Sequence, residues 1–465
     1  MDEIKLTNAQ QHYKKMTQTP VAKLVITLGI PTTISMLITN IYNMVDTYFV
    51  GTLGESPQGS IGVLLTLQAI IQAFAFMLGH GSGTYVSKEL ADKNHEQANR
   101  YVSTAFFVGG GIGLIFSLLG LTFLTPLMRF LGSTETILPY AKQYGMWVLI
   151  SCPFLICSLI LNNNLRYEGK ATYAMIGLVS GGLLNILLDY IFVKVVSLGV
   201  FGAGMATAIS QIISFTILLV LYTKMAQSKI SVKHITKSKL VYIHILKAGF
   251  PSFIRQGLNS ISGGLLNRLA GHYGSQLGIA DQTIDAMSIV NRISNLIMCV
   301  GMGIGQGLQP VASFNYEAKH YDRVKKGLVT TVAISFAFVF ALCVPVFFLA
   351  EDIVYIFQKS QTVVDLGTQA LHYALIGLMF MPLYVPINMT YQSIRKSGVA
   401  SFLSLLRSGM VFIPTLIIAT SLCGVTGILF SQPLADAITG LINIPFFVHF
   451  LREKHNDEIQ VATIE

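Results

Sequence analysis

Four stretches of this chain, 102–127, 143–165, 327–350 and 366–391, contain no Asp, Glu, Lys or Arg. A segment of about 20 apolar residues or more is long enough to cross a bilayer as a helix, and such runs recur along the whole sequence. Charged residues make up 11% of the chain and hydrophobic residues 52%, whereas a soluble domain carries about 25% charge. Runs bounded by charges, Gly or Pro predict twelve spans, at 24–50, 61–87, 102–127, 141–165, 172–195, 200–223, 245–271, 286–313, 325–349, 366–393, 400–422 and 425–451. Residues 1–22 are polar and basic, without a small-residue cleavage site after the first span, so that span reads as an uncleaved helix.

The net charge of +9 follows topology. With the N-terminus in the cytoplasm, 23 of the 31 basic residues fall on inner segments, among them Lys5, Lys88, Arg166, Lys170, Arg395 and Lys454. Four fall on outer loops. That asymmetry is the positive-inside pattern. It accounts for the charge without nucleic acid, and no nucleic-acid partner is expected. The most basic stretch, 224–247, holds six lysines and no acid, and reads as a connector lying against anionic lipid.

The chain is also duplicated. GHGSG at 79–83 and GIGQG at 303–307 align at an offset of 224. Gly29-Ile-Pro31 matches Gly249-Phe-Pro251 at 220, Arg166-Tyr-Glu-Gly169 matches Arg395-Lys-Ser-Gly398 at 229, and Gly199 matches Gly424 at 225. Ordered anchors with drifting offsets indicate a six-helix unit copied once. An even number of crossings sets the two copies parallel, as in carriers whose halves rock about a site between them. The expected fold is therefore an all-α membrane protein of twelve transmembrane helices in two pseudo-symmetric six-helix lobes. Its organisation is a cytoplasmic segment 1–23, a first lobe 24–223, a basic linker 224–244, a second lobe 245–451 and a cytoplasmic tail 452–465. The glycines lack the ending of a phosphate loop and suit close helix approach.

Ionisable residues at membrane depth are costly unless they have a task. Asp46 precedes the outer end of span one and Asp189 the outer end of span five; Asn185 lies one turn before Asp189, and Thr207 sits at similar depth in span six. Two carboxylates, an amide oxygen and a hydroxyl form a hard-oxygen set suited to a proton or to a metal cation such as sodium. The second half offers no acid at the matching places. It carries Arg255, Arg268, Arg292, Arg407 and Asp436 instead. Asp436 could pair with Arg255 or Arg407, and Arg255, Arg292, Arg407 and Asp436 are the candidates for an ion pair or gate. Met298, Met302, Phe380 and Met389 offer adaptable surface for a substrate cavity. The five cysteines, all within apolar spans, have neither zinc nor disulfide spacing.

The ordered set Gly29-x-Pro31, Val45-Asp46-Thr47, Gly81-Ser-Gly83, Leu165-Arg166-x-x-Gly169, Asn185-x-x-x-Asp189, Gly199-x-x-Gly202, Ala206-Thr207, Gln309-Pro310 and Asn315-Tyr316 resembles the MATE (multidrug and toxic compound extrusion) transporters. The likeness runs over about residues 20–450. It implies two lobes about a central cavity, and export of cationic or amphiphilic compounds against an inward flow of protons or sodium. It implies an amino-lobe cation site at Asp46, Asn185, Asp189 and Thr207. Some sodium-coupled members also carry acids in helices seven and ten; FIRQGLNSISGG and YALIGLMFMPLYVPINM contain none here.

The sequence thus points to a cation-coupled multidrug antiporter, a monomer in the bacterial inner membrane with both termini cytoplasmic. Its partners are membrane lipid and small organic substrates. It needs no cofactor beyond the coupling ion, and it is not an enzyme, having neither HExxH nor a phosphate loop. The alternative is a lipid-linked precursor flippase, which would want several cationic residues in its cavity.

Overall fold

The computed structural model describes residues 8–453; Lys5, Lys454 and most of the expected tail lie outside the described residues. In chain order the helices are α1 (Asn8–Gln18), α2 (Val21–Gly51), α3 (Glu55–Ala91), α4 (His95–Thr122), α5 (Leu124–Phe130), α6 (Leu138–Tyr167), α7 (Ala171–Asp189) and α8 (Gly199–Met225). The second half holds α9 (Lys239–Gln276), α10 (Ala280–Glu317), α11 (Tyr321–Phe348), α12 (Ala350–Phe357), α13 (Gln361–Leu378), α14 (Met381–Ser393), α15 (Ser397–Leu405), α16 (Phe412–Cys423) and α17 (Val425–Arg452).

Among the described residues ten helical segments are long and apolar enough to span a membrane, and α13 with α14, bent by 47°, makes an eleventh. The bend falls where Pro382 opens α14; proline is suited to a helix's first turn because its missing N–H is not needed there. The twelfth crossing is α9, 38 residues long. Its Arg255, Gln256, Asn259, Asn267 and Arg268 make it too polar to pass on composition, which already marks it as a helix facing something other than lipid.

Each half forms its own bundle, and the two most extensive joints between them are α3 against α9 and α2 against α10. These pairs explain the duplicated glycines. A Cβ on Gly81 would strike the carbonyl of Ile245, and one on Gly249 the carbonyl of Met77. In the other pair Gly307 rests against Gly29 and the Val25 carbonyl. Backbone-to-backbone approach of this kind is what small residues allow in an apolar medium.

The turns refine the repeat. Lys93 and Lys319 both have φ 59°, and Gly169 (φ 70°) is matched by Arg395 (φ 64°). The bonds Lys170 N–H to Leu165 O, 2.8 Å, and Lys396 N–H to Tyr391 O, 3.0 Å, close the same left-handed helix end. The local offset is 226, not 229. Arg166 therefore corresponds to Gln392, and an arginine at 395 takes the left-handed place that glycine fills at 169. Asn162 and Asn388 repeat at the same offset, each donating across its lobe, to the carbonyls of Ala174 (3.0 Å) and Ala400 (2.8 Å).

The basic end carries two features beyond the spans. Amphipathic α1 lies across both lobes. His12 Nε2–H donates to the Glu168 carbonyl at 2.8 Å in the first lobe. In the second, Asn315 donates to the Met16 carbonyl at 3.1 Å and Arg323 to the Thr19 carbonyl at 2.7 Å. The linker is fastened to the first lobe: Lys229 N–H reaches Asn99 Oδ1 at 2.6 Å, and Gln227 N–H reaches Glu168 Oε2 at 2.5 Å. Its lysines 224, 229, 233, 237, 239 and 247 all stay exposed.

Candidate functional site

The residues that depth alone grouped do meet. Asp46 from α2, Asn185 and Asp189 from α7 and Thr207 from α8 are all buried, Asp189 completely. Gly181 lets α7 close on Ser214 of α8, and Gly204 lets α8 close on Tyr144 of α6. Asp189 ends the regular α7 ladder, and a π segment, Tyr190–Val195, follows it directly. Such a wide turn re-aims the side chains beside it and is common at functional sites.

Tyr144, absent from the sequence reading, holds the group together. Its hydroxyl donates to Asp46 Oδ2 at 2.7 Å and lies 2.9 Å from Thr207 Oγ1. Asn185 Nδ2 donates to the same Thr207 oxygen at 3.3 Å. The oxygens Asp46 Oδ1, Asn185 Oδ1 and both of Asp189 are buried with no hydrogen-bond partner. Buried acceptors without donors are expensive. Asp46 and Asp189 are also electrostatic neighbours. Four unmatched oxygens around two mutually repelling carboxylates fit a bound proton, or a small hard cation coordinated by their lone pairs.

Between the lobes lies a cavity of ≈ 340 Å³. Asn43, one turn before Asp46, lines both this cavity and the crevice on which Asp46 opens. Met298 and Met302 line the central cavity. Met389 packs under Gly305 and reaches only a small side pocket. Phe380 does not join it: it sits at the α13–α14 break with its Cβ against Gly440, because the bend turns it into the bundle.

The arginines separate. Arg407 Nε donates to Asp436 Oδ1 at 2.8 Å, and Gln432 and Tyr384 donate to the same oxygen at 3.0 and 3.5 Å. This ion pair borders a second-lobe cavity of ≈ 260 Å³, and Arg407 lies in another π segment, Leu406–Met410. Arg255 takes no part in the pair and lines the central cavity instead. Arg268 and Arg292 are exposed and do not line the central cavity. Arg166, counted from sequence as a loop charge, is 5% exposed in the last turn of α6 and also lines the cavity. It donates to Gln306, Asn163 at 2.8 Å and Gln309 at 3.4 Å, and contacts His80.

At the cavity the lobes are tied by Asn40 to Cys299 at 2.9 Å and Gln256 to Gln72 at 3.3 Å, and further ties gather toward the basic end. Besides Arg166–Gln306 they include Ser313 to the Thr84 carbonyl at 3.1 Å, Lys88–Glu317 at 3.1 Å, and Tyr101–His244 at 2.7 Å.

The MatE family model matches residues 31–191 and 251–418, one copy on each lobe. The multidrug export protein MepA of Staphylococcus aureus strain MRSA252 is 27% identical over 440 residues, 94% of this chain and 95% of that protein. The protein of the same name from Staphylococcus saprophyticus is 27% identical over 431 residues, 92% and 93% of the two chains. Among solved structures, one described as the outward-facing conformation of a multidrug resistance MATE family transporter of the MOP superfamily superposes with a TM-score of 0.88 at 21% identity, covering 97% of this chain and 100% of that one. With both lobes matched and the fold shared almost end to end, the chain belongs to the MATE family of membrane transporters.

Proposed function

We propose that this protein is a cation-coupled antiporter that exports amphiphilic organic compounds across a bacterial plasma membrane, its basic end facing the cytoplasm. The observation that carries the reading is the Asp46–Asn185–Asp189–Thr207–Tyr144 cluster, with its unmatched buried oxygens, next to a cavity shared by both lobes. The multidrug export named for the staphylococcal relatives points the same way.

The lobes are tied at the basic end, as in a carrier open to the outside. A proton or sodium ion entering there binds the two carboxylates. Asn43 shares its helix turn with Asp46 and its surface with the cavity, so cation binding that shifts this turn reshapes the substrate wall. Substrate leaves outward, the carrier turns, and the cation is released inward. The membrane potential contributes about 2.3 kcal/mol per charge per 100 mV to that inward step.

The test is transport by purified protein in proteoliposomes under separately imposed proton and sodium gradients. One gradient drives export, and Asp189→Asn abolishes the driven component while leaving the protein folded. Undiminished driven export by Asp189→Asn would sink the assignment. The flippase alternative wants several cationic residues in the cavity: Arg407 is engaged by Asp436, which leaves Arg166 and Arg255 there.

A further inference from the structure

The charge of the cavity wall narrows the chemistry of the cargo. Arg255 and Arg166 line the central cavity, and no Asp or Glu stands among the described residues that line it. The two guanidinium groups lie within electrostatic reach of each other. Arg166 is held by neutral partners. Arg255 makes one long hydrogen bond, to Ser252 Oγ at 3.4 Å, from a group with five N–H donors. The acids that could neutralise it are occupied or screened. Asp436 is paired with Arg407, while Asp46 opens on its own crevice behind Asn43.

Two largely buried positive charges with no acid beside them carry a penalty that an anion in the cavity would relieve. Gln256, the next residue, and Asn259, one turn along α9 from Arg255, add further donors. Phe76, Leu155 and Leu159 from the first lobe and Met298 from the second give the same cavity an apolar surface. We propose that the central cavity takes an amphiphile with one anionic head, a carboxylate, sulfonate or phosphate, anchored by Arg255 with its tail along that apolar surface. The proposal rests on the carrier reading above, and narrows the sequence expectation of cationic or amphiphilic cargo to anionic amphiphiles. Export of such an anion is itself favoured by an inside-negative potential.

The experiment is equilibrium binding, with no gradient imposed, to the full chain in phosphatidylcholine nanodiscs. Three fluorescent probes share one dansyl-undecyl body and end in a carboxylate, an amide or a trimethylammonium group. The carboxylate probe binds tightest. Arg255→Gln weakens it about tenfold to a hundredfold, the range for losing a charge-assisted bond, and leaves the amide probe unchanged. Arg255→Lys, which keeps the charge, restores most of the affinity and shows that the effect is not misfolding. Equal or tighter binding of the trimethylammonium probe would overturn the inference, as would an Arg255→Gln protein that keeps the wild-type preference. Repeating the titration in phosphatidylglycerol nanodiscs separates the sources of the anion: displacement of the probe identifies a lipid phosphate, and undisturbed binding a free organic anion. Because binding needs no driving ion, failure of the coupling assignment leaves this result readable. A carrier that is cation-driven yet prefers cationic probes would refute this inference alone.

Discussion

The two lobes share a scaffold and differ in how they treat a buried carboxylate. In the first lobe Asp46 and Asp189 sit together without a basic partner, and three of their four carboxylate oxygens are unmatched. In the second lobe Asp436 receives Arg407, Gln432 and Tyr384. Both sites adjoin a π segment, and both lobes keep the asparagine brace, Asn162 in one and Asn388 in the other. The repeat therefore supplies the frame and the local irregularity, and the choice of side chains decides whether the acid awaits a cation or is already neutralised. A self-contained ion pair has little reason to respond to an external gradient; an unpaired acid cluster does.

That contrast is most directly broken by removing one acid from each lobe. Asp189→Asn removes the coupled transport described above, and relieves a repulsion instead of breaking a pair. Asp436→Asn leaves Arg407 as an uncompensated buried charge, which costs about 3–5 kcal/mol. The expected outcome is a clear loss of thermal stability in detergent for Asp436→Asn and a neutral or positive change for Asp189→Asn. The double variant Arg407→Gln with Asp436→Asn recovers much of the loss. If Asp436→Asn is as stable as wild type but uncoupled, the second lobe holds the working acid and the comparison is reversed.

A second difference lies at the basic end, where α1 bridges the lobes through His12 on one side and the Met16 and Thr19 carbonyls on the other. Burial holds His12 at about 4, well below its ordinary 6.5, against the raising effect of its bond to the Glu168 carbonyl; Lys170, Lys15 and His95 lower it further. An undocked α1 takes up a proton before a docked one does. The contribution of docking is thus complete above pH 6.5 and drains away as pH falls toward 4. At pH 5 the loss is about 2 kcal/mol. Limited proteolysis or hydrogen exchange of 8–18 at pH 7.5 and pH 5 should show α1 loosening in acid, and His12→Gln should remove the pH dependence. Equal protection at both values would separate α1 from the seal between the lobes.

Much of this was legible beforehand, for reasons that are themselves physical. Hydropathy sets the crossings, and counting residues from span ends placed Asp46, Asn185, Asp189 and Thr207 at one depth, because a helix rises uniformly. What escaped were features that depend on the neighbour and not on the chain. Arg166 looks like a loop charge until α10 brings Gln306 and Gln309 to it. Phe380 looks like cavity lining until the bend before Pro382 turns it inward. The 226 offset is hidden because Arg395 fills a backbone position that suggests glycine, so matching letters misled where matching torsions would not.

Tyr144 is the smallest and sharpest test of the comparison. Near the outer end of span four it resembles an interfacial aromatic, yet it was at the depth that selected the acids. Its hydroxyl bridges Asp46 and Thr207, so it supports whichever form of Asp46 can accept a bond. Tyr144→Phe keeps the ring that packs against Gly204 and deletes that one donor. The loss of one hydrogen bond to a carboxylate is about 1.5–3 kcal/mol. Coupled transport should fall by roughly tenfold to a hundredfold, with the concentration dependence on the driving ion shifted and the binding of uncharged cargo unchanged. The second lobe offers a control, since Tyr384→Phe removes a longer bond to an acid that Arg407 and Gln432 already satisfy. Transport should tolerate that change. Equal losses from the two tyrosines would mean that the lobes differ less in role than in charge.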